Sequence, residues 1–202
     1  MLKRFQRSPD EQLIIGITGR IGSGKTSVGA YLSSNYGFQY LRYSKVLSDW
    51  LGEDPDGKDH LQEVGWEVMA AGKQSELNRR LIAQITPDTN VAVDGLRHPL
   101  DCETLSNSFS DSFHLLYIDS PAEDRWERLR INGRYSNYGL FQGAETHPVE
   151  QQIDLLRPIA TFVIHNGGSL QHLYAAVDEA LDKFGKKAIY ESLDSSRRTV
   201  RL

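Results

Sequence analysis

The chain has a single cysteine, Cys102, among its 202 residues. One thiol excludes an intrachain disulfide framework and any zinc or iron–sulfur site that needs several cysteines. The sequence also has no apolar run of about 18 residues and no signal-peptide pattern, which predicts a cytoplasmic protein without a membrane partner. The sequence has no excess of positive charge, because 23 lysines and arginines against 27 acidic residues give a formal net charge of −4. Such a balance argues against a surface that coats nucleic acid.

What remains is the composition of a globular protein, with 39% hydrophobic and 25% charged residues. A length of 202 residues suits one α/β domain with a full hydrophobic core. We expect that domain at 13–185, between a polar N-terminal tail at 1–12 and a charged C-terminal tail at 186–202.

Strand-like apolar segments alternate with helical ones along this domain. Five segments have the pattern of strands: 13–17, 38–43, 90–94, 113–119 and 161–165. Because helical segments separate them, the strands are expected to form a parallel sheet with right-handed crossovers. The stretch 45–85 is mostly helical, with a turn at 54–57. Ser120 with Pro121 predicts one helix start, and Ser169 predicts another that opens an apolar stripe of Leu170, Leu173, Val177 and Leu181.

The strongest motif is a phosphate-binding loop, G-x-x-x-x-G-K-T, at 19–26. Its glycines permit backbone conformations in which the N–H groups of residues 20–26 converge on one anion. Lys25 adds a cation for the β- and γ-phosphates, and Thr26 offers a hydroxyl to Mg²⁺. A strand precedes the loop and a helix N-terminus follows it, which favours phosphate further. The predicted nucleotide contacts are Gly19, Arg20, Gly22, Ser23, Gly24, Lys25, Thr26 and Ser27.

Asp94 ends the third predicted strand, and Arg97 follows three residues later. An acid at the carboxyl end of a buried strand lies where α/β folds bind ligands, and apolar residues before it fit a magnesium-orienting acid. A guanidinium in the same crevice can hold a phosphate through two parallel hydrogen bonds. We therefore assign Asp94 to Mg²⁺ together with Thr26, and Arg97 to a phosphate.

Four arginines lie on or just after the helix that follows the fourth strand: Arg125, Arg128, Arg130 and Arg134. Phosphoryl transfer spreads negative charge over the migrating group, and arginines on a lid are a known way to stabilise it. Next to a phosphate-binding loop, this cluster predicts a lid at 130–150, from which Arg128 and Arg134 act on the reacting phosphate.

Taken together, these motifs resemble the nucleoside monophosphate kinase group of P-loop kinases. That group is meant broadly, to include adenylate kinase-like, dephospho-CoA kinase-like and phage-type deoxynucleoside monophosphate kinase-like enzymes. The segments that carry the resemblance are 16–26, 93–97, 125–134 and 164–170. An uncharacterised archaeal kinase-like family shares the Asp-Gly-Leu-Arg and Arg-x-x-Arg-Leu patterns especially closely.

The resemblance implies a P-loop NTPase fold, a three-layer α/β/α sandwich with a five-stranded parallel sheet. It also implies an acceptor-binding helical insertion at 45–86, ATP as donor with Mg²⁺, and a small-molecule phosphate acceptor. In the same comparison, Asn166 and Gly167 lie where such kinases pass near the adenine ring. Arg42 and Ser44, at the end of the second strand, are assigned with Arg97 to the acceptor.

The acceptor half departs from the group's pattern. Dephospho-CoA kinases carry an acid after the second strand, whereas residues 42–45 contain no carboxylate, which favours an acceptor that is already anionic. Nucleotide kinases usually place basic residues near Ser48 and in the segment matching 61–69, and neither is present here. The candidate substitutes are Arg42, Lys45, Arg79 and Arg80. Two alternatives to a nucleoside monophosphate kinase thus stay open: a hydroxyl kinase of the dephospho-CoA type, and a nucleotide-binding regulator without a small-molecule acceptor.

Overall fold

A computed structural model gives the fold, and it describes residues 12–52 and 58–198. At 58–59 and 185–198 only the backbone is described. The predicted turn at 54–57 and most of the N-terminal tail lie outside the described residues.

Five parallel strands form one sheet in the order β2-β3-β1-β4-β5. The strands are β1 (Ile14–Thr18), β2 (Gln39–Arg42), β3 (Val91–Asp94), β4 (Phe113–Asp119) and β5 (Phe162–His165). All of β1 and β3 is buried, as their nearly continuous apolar sequences require in a sheet covered on both faces. This confirms the predicted three-layer α/β/α fold.

The helices connect the strands or follow the last one. They are α1 (Lys25–Tyr36), α2 (Tyr43–Leu51), α3 (Lys58–Ala70), α4 (Gln74–Ile82), α5 (Pro99–Phe109), α6 (Ala122–Ile131), α7 (Tyr138–Glu145), α8 (Pro148–Asp154) and α9 (Leu170–Arg198). A short 3₁₀ turn at Ser110–Ser112 leads into β4.

Apolar side chains pack on both faces of the sheet. One face carries a cluster that includes Leu81, Leu96 and Leu105, and the other a cluster that includes Val28 and Val177. A smaller third cluster joins the phosphate loop to the helices after β4, through Ile21, Leu129, Tyr135 and Phe141. Apolar packing therefore holds the phosphate loop against the helices that follow β4.

Three local predictions need correction. Tyr43 begins α2 instead of ending β2. Pro121, not Ser120, is the N-cap residue of α6, and the Ser120 hydroxyl instead accepts a hydrogen bond of 2.8 Å from Arg128. Leu170, the first residue of α9, is 55% exposed and therefore does not belong to the buried stripe.

The other predictions for the last helix agree better with the structure. The Ser169 hydroxyl accepts a hydrogen bond of 3.3 Å from the N–H of His172, as a capping residue does. Leu173, Val177 and Leu181 are buried. The helix itself runs on to Arg198, so most of the segment expected to be a tail is helical.

Candidate active site

The phosphate loop connects β1 to α1 at the carboxyl edge of the sheet, and glycine is required at its bends. Gly19, Gly22 and Gly24 have φ values of 138°, 77° and 106°, in the region that other residues rarely adopt. A Cβ on Gly19 would lie 2.3 Å from the Ile118 carbonyl oxygen, and one on Gly24 would lie 2.7 Å from Nδ2 of Asn166. The spacing of the motif thus follows from steric limits.

Lys25 lies under this loop. Its Nζ donates hydrogen bonds to the carbonyl oxygens of Gly19, at 2.5 Å, and Arg20, at 3.0 Å. Burial lowers the pKa of the Lys25 ammonium, and the carboxylates of Glu150 and Asp94 oppose that shift. Lys25 is therefore a partly buried cation that contacts two carbonyl oxygens, close to the helix N-terminus where phosphate is favoured.

Two N–H groups of the loop are already engaged within the protein. The N–H of Ile21 donates to Oε2 of Glu150 at 2.8 Å, and that of Ser23 donates to the Arg20 carbonyl at 3.1 Å. The expectation that every N–H from 20 to 26 faces a phosphate is thereby corrected for these two. The first turn of α1, from Lys25 onward, presents N–H groups that a helix cannot pair internally.

Asp94 lies beside Thr26, because β3 pairs with β1 in a register that sets Asp94 opposite Ile17. The Thr26 hydroxyl is 3.3 Å from Oδ2 of Asp94, and the Tyr40 hydroxyl donates to the same oxygen at 2.7 Å. A hydroxyl and a carboxylate next to a phosphate site match the oxygen ligands that Mg²⁺ takes in proteins, where substrate phosphates and water complete its shell. The residues present therefore fit the ion.

Most predicted site residues meet in one cavity of about 830 Å³. Those that line it are Gly22, Gly24, Lys25, Thr26, Ser27, Arg42, Ser44, Asp94, Arg97, Arg128 and Arg134. Gly19, Arg20 and Ser23 are not among its lining residues. Asn166 and Gly167 line a second cavity of about 300 Å³ with Asp119, Ser120, Pro121 and His165. The roles assigned to all these residues stay predictions.

Arg128 and Asn166 fasten the phosphate loop to the strand ends. Asn166 donates from Nδ2 to the Ser23 carbonyl at 2.8 Å, and its own carbonyl accepts from Nη2 of Arg128 at 2.8 Å. Nη1 of Arg128 donates to the Ser120 hydroxyl at 2.8 Å and, more weakly, to the Gly22 carbonyl at 3.4 Å. Arg128 therefore borders the cavity with its donors turned toward protein oxygens.

The other arginines near the loop differ in their surroundings. The Arg125 side chain is buried and pairs with Glu145, while Arg20 pairs with Glu145 and, at 2.5 Å, with Asp154. These two side chains join the loop to α7 and α8. Arg134 lines the cavity with its guanidinium carbon 5.4 Å from the centre of the Tyr135 ring.

Glu150 is a functional candidate that the sequence reasoning missed. It lies on α8 with no exposed surface and accepts hydrogen bonds from the Ile21 N–H, from Nη1 of Arg97 at 3.1 Å and from Nε2 of Gln62 at 3.4 Å. One carboxylate thus connects the phosphate loop, the loop after β3 and α3. Its only sequence signal is an acid in the first turn after Pro148, which is also an ordinary helix start.

The acceptor half of the cavity is the part lined by α2, α3 and α4. It holds two of the four residues proposed to replace the usual basic residues of nucleotide kinases. Arg42 and Lys45 line the cavity. Arg79 and Arg80 are outside its lining, and both pair with Glu76 on their own helix. Side chains of the helical insertion complete this wall, among them Leu47, Leu61, Met69 and Gln74. Tyr43, at the start of α2, also lines it.

The described residues contain neither a membrane-spanning helix nor a self-sufficient metal site. None of the described helices is both long and apolar enough to cross a membrane. Within the same ranges, no group of three or more histidine, cysteine, aspartate or glutamate side chains could hold a metal ion by itself. A cation at Asp94 would therefore depend on oxygens from a bound phosphate and from water.

Comparison with known proteins finds kinases among the similar proteins. No protein-family model matches the chain. A UPF0200 protein of Methanothrix thermoacetophila is 31% identical over 124 residues, 60% of this chain and 66% of that protein, just under two thirds of its length. A dephospho-CoA kinase of Thermus thermophilus is 26% identical over 193 residues, 84% of this chain and 90% of that kinase. A solved gluconokinase structure from Sinorhizobium meliloti 1021 has a TM-score of 0.63 at 16% identity, covering 93% of this chain and 99% of its own.

The gluconokinase likeness, at that identity, shows the fold alone. The fold, the phosphate loop and the dephospho-CoA kinase relative together confirm the prediction of a P-loop kinase. Kinases of this type take their phosphate from ATP with Mg²⁺ and pass it to a small molecule. The predictions of these two cofactors and of a small-molecule acceptor are therefore supported at the level of the family.

Proposed function

We propose that this P-loop kinase transfers the γ-phosphate of ATP to a nucleoside or deoxynucleoside monophosphate. The observation that carries the proposal is the ring of cations around the acceptor half of the cavity. Arg42 and Lys45 lie where β2 leads into α2, Arg97 follows β3 and Arg134 follows α6, so three separate parts of the chain supply cations to the space that Lys25 also lines. Such an arrangement favours an acceptor that brings a phosphate of its own.

Each side chain has a role in this proposal. Lys25 balances the charge that develops on the migrating group, and Arg134 does so from the lid side. Thr26 and Asp94 would hold Mg²⁺, which neutralises phosphate charge when bound. Arg97 would hold the acceptor phosphate. A guanidinium has five N–H donors, so its bond to Glu150 leaves others for a ligand. Catalysis then consists of positioning and charge stabilisation.

The carboxylates that line the cavity support an acceptor that needs no strong base. Asp94 is engaged by Thr26 and Tyr40. Asp101 accepts two backbone N–H bonds, from Arg97 and His98, and a side-chain bond of 2.6 Å from Gln74. Both acids thus have structural partners, whereas a monophosphate oxygen is already anionic and attacks without losing a proton to the enzyme.

A second candidate is a hydroxyl kinase that acts on dephospho-CoA. It is favoured by the relatives named dephospho-CoA kinase, which align over 84% of the chain in the Thermus thermophilus case. The stretch 42–45 argues against it, because it contains no carboxylate at the place after the second strand where dephospho-CoA kinases carry an acid. The cytoplasmic location, the absence of a nucleic-acid partner and the roles of Asn166 and Gly167 stay predictions.

A panel of acceptors distinguishes these candidates. Purified protein would be incubated with γ-labelled ATP, Mg²⁺ and, one at a time, the ribo- and deoxyribonucleoside monophosphates, dephospho-CoA, shikimate and gluconate. We expect labelled nucleoside diphosphate from at least one monophosphate. Label in coenzyme A alone would contradict the first proposal and support the second. ATP binding without transfer to any acceptor would instead favour the regulator.

Replacing Arg97 with alanine is expected to raise the KM for the accepted monophosphate by about tenfold to a hundredfold, since a charge-assisted phosphate contact is lost. The KM for ATP should change by less than about twofold, because this contact is on the acceptor side. Steady-state kinetics with each substrate varied in turn would measure both constants.

Arg79→Ala is the matched control for that variant, because it removes an exposed arginine that pairs with Glu76 outside the cavity lining. It should leave both constants unchanged. An Arg97→Ala enzyme with an unaltered acceptor KM would exclude Arg97 from the acceptor site.

A further inference from the structure

Gly29 occupies the middle of α1, where glycine is an unfavourable helix residue. Its backbone has no positive φ, so the conformation of the helix does not require glycine. The surroundings do. A Cβ at this position would lie 2.2 Å from Cε2 and 2.6 Å from Cζ of the Tyr40 ring. The absence of a side chain at position 29 therefore allows the Tyr40 ring to lie against the helix.

The Tyr40 ring, placed in this way, reaches the carboxyl end of the neighbouring strand. Tyr40 lies opposite Ala92 in the parallel pairing of β2 with β3, and Asp94 follows Ala92 by two residues on the same face of the sheet. The Tyr40 hydroxyl donates to Oδ2 of Asp94 at 2.7 Å.

We propose that Tyr40 is a positioning residue for Mg²⁺: its hydroxyl fixes the Asp94 carboxylate in the orientation in which Asp94 and Thr26 together hold the ion, and Gly29 makes room for it. Oδ2 of Asp94, which Tyr40 holds, is also the oxygen nearest the Thr26 hydroxyl. Groups that orient a metal ligand in this manner set the affinity of the site without touching the metal. The proposal concerns the ATP side and is independent of the identity of the acceptor.

Tyr40→Phe removes the hydroxyl and leaves the ring over Gly29. Binding of a non-hydrolysable ATP analogue would be measured by titration calorimetry, first in EDTA and then over a series of Mg²⁺ concentrations. We expect the Mg²⁺ concentration for half of the full affinity gain to rise by about tenfold, as for other residues that orient a metal ligand. Affinity in EDTA should change by less than about twofold, because Tyr40 acts through the metal site.

Tyr36→Phe is the matched control. It removes a tyrosine hydroxyl that donates to a carboxylate, Asp178, at 2.6 Å, away from both cavities. This variant should retain the Mg²⁺ requirement of the unaltered protein, whatever its melting temperature. The Tyr40 proposal is overturned if Tyr40→Phe and Tyr36→Phe show the same Mg²⁺ requirement.

Gly29→Ala provides a second, independent test. The added methyl group must displace the Tyr40 ring, so the folded variant should also need more Mg²⁺ although the Tyr40 hydroxyl is still present. Its folded state would be checked by circular dichroism before titration. An unchanged Mg²⁺ requirement in the folded Gly29→Ala protein would contradict the proposed link between position 29 and Asp94.

Discussion

Lys25→Ala protein is expected to fold normally and to lose phosphate transfer by about a thousandfold or more, the upper end of what removal of one charge-stabilising donor costs. Lys25 is the cation of the phosphate loop, and its ammonium donates hydrogen bonds to the carbonyl oxygens of Gly19 and Arg20. When phosphate binds, the flexible side chain can turn its ammonium from these oxygens to the β- and γ-phosphates. Alanine leaves the loop with its N–H groups and without that charge.

The fold should survive this substitution for two reasons. The Lys25 ammonium is partly buried, and because partial burial of a charge is unfavourable, its removal offsets part of the loss of two hydrogen bonds. Alanine moreover has a high helix propensity, so it is compatible with the first position of α1. The melting temperature should therefore stay close to that of the unaltered protein, and any loss of transfer can be assigned to the missing charge.

Transfer of label from γ-labelled ATP to the accepted substrate measures the effect, with a thermal melt of the same preparation. Lys73→Ala, which removes an exposed lysine at the start of α4, is the control and should retain full transfer. Transfer near the unaltered rate in Lys25→Ala would contradict the assignment of this loop to phosphoryl transfer.

The donor side of the site could be predicted because its determinants are local in sequence. The phosphate loop is one continuous run whose glycine spacing follows from backbone geometry, and Asp94 ends a strand that is recognisable by its apolar residues. The fourth strand was likewise predicted with the limits it has, Phe113–Asp119. In each case the physical cause acts over fewer than about ten residues, which a pattern in the sequence can record.

The contacts that connect the separate parts of the site act over much longer separations. Ile21 and Glu150 are 129 residues apart, and Arg97 and Glu150 are 53 apart. Neither Glu150 nor Tyr40 has a neighbouring residue that marks it as different from any other acid in a helix or tyrosine in a strand. Ser120 is a similar case. Its position before Pro121 predicts a helix cap, but its hydroxyl accepts a hydrogen bond from the long side chain of Arg128 instead. Tertiary contacts override local preference at these positions.

Glu150 gives the second large effect. Replacing it with alanine is expected to lower the free energy of unfolding by about 3 kcal/mol, the lower part of the range for breaking a buried ion pair, since Arg97 keeps some contact with solvent. The Ile21 N–H, which donates to Glu150, would also lose its acceptor inside the protein. For a protein of this size the melting temperature should fall by about 10 °C.

Glu150→Gln separates the charge from the hydrogen bond. The amide oxygen can still accept from the Ile21 N–H, whereas the attraction for the Arg97 guanidinium is lost. This variant should therefore be destabilised less than Glu150→Ala. Glu127→Ala is the control, because it removes an exposed glutamate from its surface pair with Arg130, and the melting temperature should not change measurably.

Denaturant unfolding of the double variant Arg97→Ala/Glu150→Ala would show how much of the effect belongs to the pair. If Glu150 acts mainly by neutralising Arg97, removal of both should cost less than the sum of the single losses, by about 1 kcal/mol or more. Strict additivity would assign the destabilisation to the Ile21 N–H and the space left by the side chain. A loss in Glu150→Ala no larger than in Glu127→Ala would contradict both accounts. Coupling would mean that Arg97, assigned to the acceptor phosphate, and the phosphate loop are held by one carboxylate. The donor and acceptor sites would then keep a fixed spacing before either substrate binds.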